Sequence, residues 1–228
     1  MTGSPRVHLR LTDSTNERAK ELALSGAPHG TTVTADEQSA GRGRQGRVWT
    51  APPRSAVLMS LVTRRLTPTL PLAAAVAICD ALPIRCEIKW PNDIWLDGRK
   101  LAGILVEGRP QEGWAVLGIG LNVTTESFPP ELAEIATSLR LAGVELDTEA
   151  VLVALLGSLD EWLEAPAEDV LAAWRERDAL RGKRVRWSDG EGMAAGIDES
   201  GALVVETDNG PITLDAGEIH LLRNRGEV

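Results

Sequence analysis

The sequence predicts an α+β protein, with helices and strands interspersed over residues 1–180 and a small all-β module over 181–228. Three observations carry this. Strand-like apolar runs and helical patterns share the first part of the chain. Residues 70–82, LPLAAAVAICDAL, are apolar on nearly every side and read as a helix buried in a core. After Arg181-Gly182, short strands are separated by Asp-Gly, Ser-Gly and Asn-Gly, the hairpin signals of a small barrel of about five strands.

Taken in order, TDSTNERAKELALSG is the first helix, with Asp13, Ser14 or Thr15 as its cap and Gly26 as its stop. Ser14 and Glu17 also fit a capping box. Residues 31–35 and 56–63 are strands flanking an Arg/Gly-rich loop. CEIKW, DIWL, KLAGILVEG and WAVLGIGLNV are further strands, with Asp97-Gly98 marking a hairpin. Helices follow near 148–164 and 167–179. Leu152, Leu155, Leu156, Leu159 and Leu163 fall at helical spacing and belong to the core.

The chain has 228 residues, is 43% hydrophobic and carries a net charge of −9. Such an acidic chain is a poor general binder of nucleic acid, whose phosphates need Lys and Arg. No apolar run approaches the roughly 18–20 residues needed to cross a bilayer, and the N-terminus lacks a signal-peptide stretch, so a cytoplasmic location is expected. Cys79 and Cys86 lack metal-type spacing and read as buried free thiols, and His8, His29 and His220 are scattered, so no metal site is expected.

Against this acidic background, Arg42, Arg44 and Arg47 are interleaved with Gly41, Gly43 and Gly46. The glycines allow close backbone approach and the arginines grip carboxylate or phosphate, so the segment reads as a loop that orders around an anion. It matches G-x-G-x-x-G, yet polar or small residues precede it and Pro52-Pro53 follow it, where a dinucleotide fold needs a strand and a helix. The kinase H-R-D and D-F-G elements are missing, as is a Walker Gly-Lys-Ser/Thr.

In KWPNDIWLDGRKLAGILVEG, residues 89–108, Pro91 restricts Trp90 and puts Asn92 and Asp93 at a rigid corner between strands. Lys100 lies just past the Asp97-Gly98 turn. On residue type alone, Lys100 is a solvated strand end and Asn92 and Asp93 are turn residues.

As a set, DSTN (13–16), QSAGRGRQGRVW (38–49), KWPNDIWLDGRKLAGILVE (89–107) and GIGLN (118–122) resemble the successive motifs of biotin protein ligases, the biotin–[acetyl-CoA-carboxylase] ligases. The resemblance covers essentially the whole chain. It implies a class II synthetase-like catalytic domain with a mixed sheet over 1–180 and an SH3-like β domain over 181–228. It also implies a two-step reaction. Biotin and MgATP give biotinyl-5′-AMP and pyrophosphate; the acyl group then passes to a lysine of a biotin carboxyl carrier domain.

The resemblance further implies residue roles. Ser14, Thr15, Asn16, Gln38 and the backbone of Gly41, Arg42 and Gly43 meet the ureido head of biotin, whose donors and acceptors need partners. Thr15 is the better ligand if Ser14 caps the helix. Arg44 and Lys100 are the catalytic pair, supplying positive charge where the biotin carboxylate meets the α-phosphate. Arg47, Trp49, Asn92 and Asn122 fall around the nucleotide, with Arg44 and Lys100. Asp93 has two readings: it helps the acceptor lysine lose its proton, or it holds the corner together.

Gln45 departs from the family pattern, in which that place often carries another basic residue. The ligase motifs begin by residue 13, leaving no room for the regulatory helix-turn-helix of some members, so DNA binding is not expected, nor is membrane binding. The resemblance allows a monomer or a homodimer. Two rival readings are a lipoate ligase or transferase of the same fold, and an RNA-binding module built on the Arg/Gly loop, a small barrel and stacking tryptophans.

Overall fold

The computed structural model describes residues 1–222; residues 223–228, the end of the expected 181–228 module, lie outside it. Strands Arg6–Leu9 (β1), Thr32–Ala35 (β2), Ala56–Thr63 (β3), Glu87–Lys89 (β4), Asp93–Leu96 (β5), Arg99–Arg109 (β6) and Trp114–Asn122 (β7) form one sheet in the order β1-β2-β3-β7-β6-β5-β4. Only β1 and β2 pair in parallel, so the sheet is mixed. The helices are Thr15–Leu24 (α1), Leu70–Asp80 (α2), Pro130–Ala133 (α3), Thr148–Trp162 (α4) and Ala167–Arg175 (α5).

The two faces of this sheet are built differently. Val57, Met59 and Leu61 of β3 and Leu117, Ile119 and Leu121 of β7 join α2, α4 and α5 in the main core. The alternate residues face the other way, as strand geometry requires. There Val62 and Val116 pack with Ala19 and Ala23 of α1. Farther along that face, Gly118 and Gly120 stand where larger residues would otherwise sit.

The expected helix over 167–179 ends at Arg175. The chain then leaves to pair with β4, whose Ile88 donates to Arg177 O at 2.7 Å and accepts from Ala179 N at 2.9 Å. A tertiary bond thus replaces the last helical turn. β1 had no clear signal, because its alternation is short and polar (RVHL).

Strands Arg184–Trp187 (β8), Gly190–Ile197 (β9), Leu203–Thr207 (β10), Gly210–Leu214 (β11) and His220–Leu221 (β12) make a second, antiparallel sheet in the order β11-β10-β9-β8-β12. The number of strands is as expected, but among the described residues the sheet does not close into a barrel: β11 and β12 are free edges. The physical reason lies in its packing. Val185, Ala194, Ile197, Leu203, Val205 and Ile219 are buried in the same apolar cluster as α2 and α5. A sheet covered by the first unit has no need to enclose a core of its own.

Candidate active site

On the glycine-bearing face of the large sheet lies a cavity of about 460 Å³. Its wall includes Ser14, Thr15, Asn16, Gln38, Arg42, Gly43, Arg44, Arg47, Trp49, Asn92, Lys100 and Asn122. The fold thus brings together segments more than 100 residues apart. Gly41 sits behind the wall: a Cβ there would strike the Trp49 carbonyl and come within 2.8 Å of Gln38 Nε2.

One end of the cavity is neutral and polar. The start of α1 presents Ser14, Thr15 and Asn16, all buried. Thr15 donates to Gln38 Oε1 from both N–H (2.7 Å) and Oγ1 (3.0 Å). Ser60 Oγ, from β3, lies 2.8 Å from Thr15 Oγ1 and 2.5 Å from Asn16 Oδ1. Asn16 Nδ2 donates to Glu107 Oε2 at 2.9 Å. The capping box does not form. Ser14 is the N-cap residue, but its side chain makes no cap bond. Glu17 is engaged by Lys20 and Arg42 instead, so its carboxylate is drawn away from the helix end.

The floor is made of glycine. Gly103 and Gly120 are direct partners across β6 and β7, and Gly118 faces Ser60 on one side and Leu105 on the other. The Trp49 indole lies over Gly120 and Gly103, so closely that a Cβ on Gly120 would collide with the ring. A flat aromatic on a bare backbone surface forms a slot rather than a packed core. Trp49 Nε1 is buried without a partner.

The other end is cationic. Lys100 Nζ is 2.6 Å from Asp93 Oδ1 and 5.8 Å from the centre of the Trp49 ring. Arg44 Nη1 donates to Asn92 Oδ1 at 3.3 Å, and Asn92 Nδ2 is tied to Ile104 O at 2.8 Å. Among the described residues Arg44 has no carboxylate partner within ion-pair distance. Burial, with help from neighbouring Arg47, holds its guanidinium below its ordinary pKa. Lys89 also lines the cavity, over the Trp95 ring at 5.1 Å, and burial lowers its pKa as well. Asn122 is buried and spends its amide N–H on Thr137 O.

The three loop arginines therefore differ. Arg42 already pairs with Glu17 and Glu107, and Arg47 with Glu218 from the second sheet's segment. The expectation that the loop arginines lack partners without an anion therefore fails for these two. The loop itself is a narrow hairpin, bridged at Arg42 and Val48, with Gln45 and Gly46 both at positive φ at its tip.

A neutral hydrogen-bonding end, a slot and a cationic end suit a molecule with a polar head, an apolar body and an anionic tail. Residues 8–123 match the family described as the biotin/lipoate A/B protein ligases, and residues 182–222 match the biotin protein ligase C-terminal domain. The chain belongs to the biotin/lipoate A/B protein ligase family. It is 36% identical over 236 residues to the biotin–[acetyl-CoA-carboxylase] ligase of Mycobacterium tuberculosis, covering 93% of this chain and 87% of that one. It is 37% identical over 243 residues to the bifunctional ligase/repressor BirA of Bacillus subtilis, covering 96% of this chain and 74% of that one. Its structure is similar to that of the biotin protein ligase from Aquifex aeolicus in complex with biotin and ATP, with a TM-score of 0.85, 28% identity, and coverage of 96% and 99%.

Several groups in this ligase-family cavity escaped the sequence reading. Gly103, Gly118 and Gly120 were visible as letters in LAGILVE and GIGLN, but strand register alone shows that they share one face. Ser60, behind the wall where it meets Thr15 and Asn16, sits in an apolar run and carries no signal. Glu218 and His220 reach the cavity from the second sheet's segment, which only the packing of the two units reveals.

Proposed function

We propose that the protein is an ATP-dependent biotin protein ligase. It activates biotin as biotinyl-5′-AMP and passes the biotinyl group to one lysine of a carboxyl carrier domain, of acetyl-CoA carboxylase or a related carboxylase. The observation that carries this reading is the single cavity in which Thr15, Asn16 and Gln38 stand at one end and Arg44 and Lys100 at the other.

The roles follow from the chemistry. The amides and hydroxyls pair the cyclic urea of biotin, and the apolar lining of the cavity, with Met59, Leu105 and Ile119, takes its bicycle and chain. The carboxylate then reaches Lys100 and Arg44. A carboxylate oxygen attacks the α-phosphorus, the bond to the β-phosphate breaks and pyrophosphate leaves. Two anions must approach one another, so fixed cations at the junction lower the barrier. In the second step the acceptor amine attacks the acyl carbon, AMP departs and the amine loses a proton. Trp49 and Asn122 border the space for the nucleotide, and Arg47 and Lys89 face its phosphates. Among the described residues no three His, Cys, Asp or Glu side chains gather at one point; Mg²⁺ enters as MgATP, carried on the triphosphate. No described helix is long and apolar enough to cross a membrane, and we place the reaction in the cytoplasm.

The test is biotin-dependent pyrophosphate release from MgATP, followed by streptavidin detection of a carrier domain. Release with biotin and none with lipoate is the expected result. Release with lipoate alone would move the chain to the other branch of the family.

A further inference from the structure

We infer that Glu107, which lies outside the cavity, is a positioning residue for the biotin head. Its carboxylate fixes the orientation of the Asn16 amide, leaves the chain of contacts through Asn16, Ser60, Thr15 and Gln38 one hydrogen short, and so favours a ligand that donates. This rests on the biotin ligase reading.

The geometry begins on β6. Leu105 faces Gly118 across the sheet, and Glu107, two residues on, projects from the same side. Lys20 Nζ lies 2.9 Å and Arg42 Nη2 3.1 Å from Glu107 Oε1. Burial alone would raise its pKa, but the bonds from Asn16 and Lys20 and the charges of Lys20 and Arg42 outweigh it and keep the carboxyl below its ordinary value. An ionised carboxylate only accepts. Asn16 must therefore turn its amide nitrogen toward Glu107 (2.9 Å) and its carbonyl oxygen toward Ser60 Oγ (2.5 Å). At the far end, Gln38 Oε1 is fixed as an acceptor by the Thr15 backbone N–H at 2.7 Å.

Two hydroxyls lie between these two acceptor oxygens. The contacts are Asn16 Oδ1 to Ser60 Oγ, Ser60 Oγ to Thr15 Oγ1 and Thr15 Oγ1 to Gln38 Oε1, at 2.5, 2.8 and 3.0 Å. Three contacts share two hydrogens, so one pair of oxygens always faces without a proton. Ser60, Thr15 and Asn16 are all buried. Thr15, Asn16 and Gln38 line the cavity, whereas Ser60 and Glu107 do not. A ligand N–H given to Asn16 Oδ1 or Gln38 Oε1 supplies a hydrogen to the acceptor that receives none from a hydroxyl and so offsets the repulsion of the protonless pair, and a cyclic urea offers two such donors. A neutral side chain at 107 could present either a donor or an acceptor. Asn16 could then reverse, donate to Ser60 and remove the shortage.

The experiment compares Glu107→Gln, Glu107→Asp and Lys20→Met in steady-state pyrophosphate release, with melting temperatures. Glu107→Gln should raise KM for biotin at least tenfold, with kcat at saturating biotin within threefold and KM for ATP unchanged. Glu107→Asp keeps an acceptor-only carboxylate and should restore most of the loss. Lys20→Met removes two ion pairs, to Glu17 and to Glu107, but not the acceptor, and should leave KM for biotin within twofold. The inference is overturned if Glu107→Gln binds biotin normally, if the Asp and Gln variants are equally impaired, if Lys20→Met matches Glu107→Gln, or if kcat and KM for ATP are impaired as much as KM for biotin. Wild-type protein that releases no pyrophosphate would instead sink the ligase reading.

Discussion

Lys100 Nζ sits 2.6 Å from Asp93 Oδ1, and the two side chains belong to opposite arms of the β5–β6 hairpin. A register shift between Ile94 and Trp95 brings them together. Asp93 thus holds the lysine in the cavity wall, which favours the reading in which it organises the corner.

Replacing Lys100 by Ala should lower biotin-dependent pyrophosphate release by at least about a hundredfold, the usual scale for losing one charge-stabilising group. Lys100 is one-third exposed, so the melting temperature should hardly change. Asp93→Asn should cost less, because the cation remains but is no longer pinned. Pyrophosphate release near the wild-type rate in Lys100→Ala would reduce Lys100 to a strand-end lysine.

Arg44→Gly should let the adenylate escape. Among the described residues the Arg44 guanidinium is bonded only to the Asn92 side-chain oxygen, at 3.3 Å, so its removal breaks no ion pair seen to hold the loop. Biotinyl-AMP is a reactive mixed anhydride, and its release should biotinylate bystander lysines. The measurement is a streptavidin blot of unrelated proteins mixed with the variant, biotin and MgATP. Labelling confined to the carrier domain, with adenylate still forming, counts against a retaining role.

Gly120→Ala should damage the slot without unfolding the sheet. The added Cβ runs into the Trp49 indole, which must move off Gly103 as well. Biotin and ATP affinities should both fall, by about tenfold if the site loses ~1–2 kcal/mol to the misplaced ring. Titration calorimetry reads this directly; unchanged affinities would show that Trp49 moves aside freely.

The Glu107 network predicts a pH signature. The folded pKa lies below the ordinary value. Its stabilisation is therefore complete above the unfolded carboxylate range and is lost as pH falls through the folded value. The difference in melting temperature between wild type and Glu107→Gln should be widest near neutral pH and should close below about pH 4. A gap that ignores pH would mean that the ionised carboxylate adds nothing.

Truncation after residue 180 removes Val185, Leu203 and Val205 from a core shared with α2 and α5. It also breaks the bond from Trp90 Nε1 to Gly201 O at 3.0 Å. The shortened chain should melt at least ~10 °C lower, since several buried apolar side chains are each worth a few kcal/mol. An unchanged melting temperature would mean that the first unit folds independently of the second.

The sequence alone determined most element types, though not β1 or α3, the change of character after Arg181 and the residues of the four motifs, because these rest on local chemistry. Periodicity marks the helix around Leu152 and Leu155. Asp97-Gly98 marks a hairpin because that turn needs positive φ, and both residues adopt it. Gly41–Arg47 is conspicuous because cations and glycines crowd one loop. Tertiary structure decided what no local pattern encodes. Strand register put Gly103 beside Gly120 and cleared a slot for Trp49. Packing carried Glu218 to Arg47 and left the second sheet open against the main core. Charge pairing separated Arg42 and Arg47, already neutralised, from Arg44, which is not. Glu107 shows the distinction at a single residue. In the sequence it is one more glutamate at the end of a strand. Only the packing of α1 and of the Arg/Gly loop beside β6 gives it Asn16, Lys20 and Arg42 as neighbours, since contacts between distant segments depend on the whole chain's packing rather than on the residues around it.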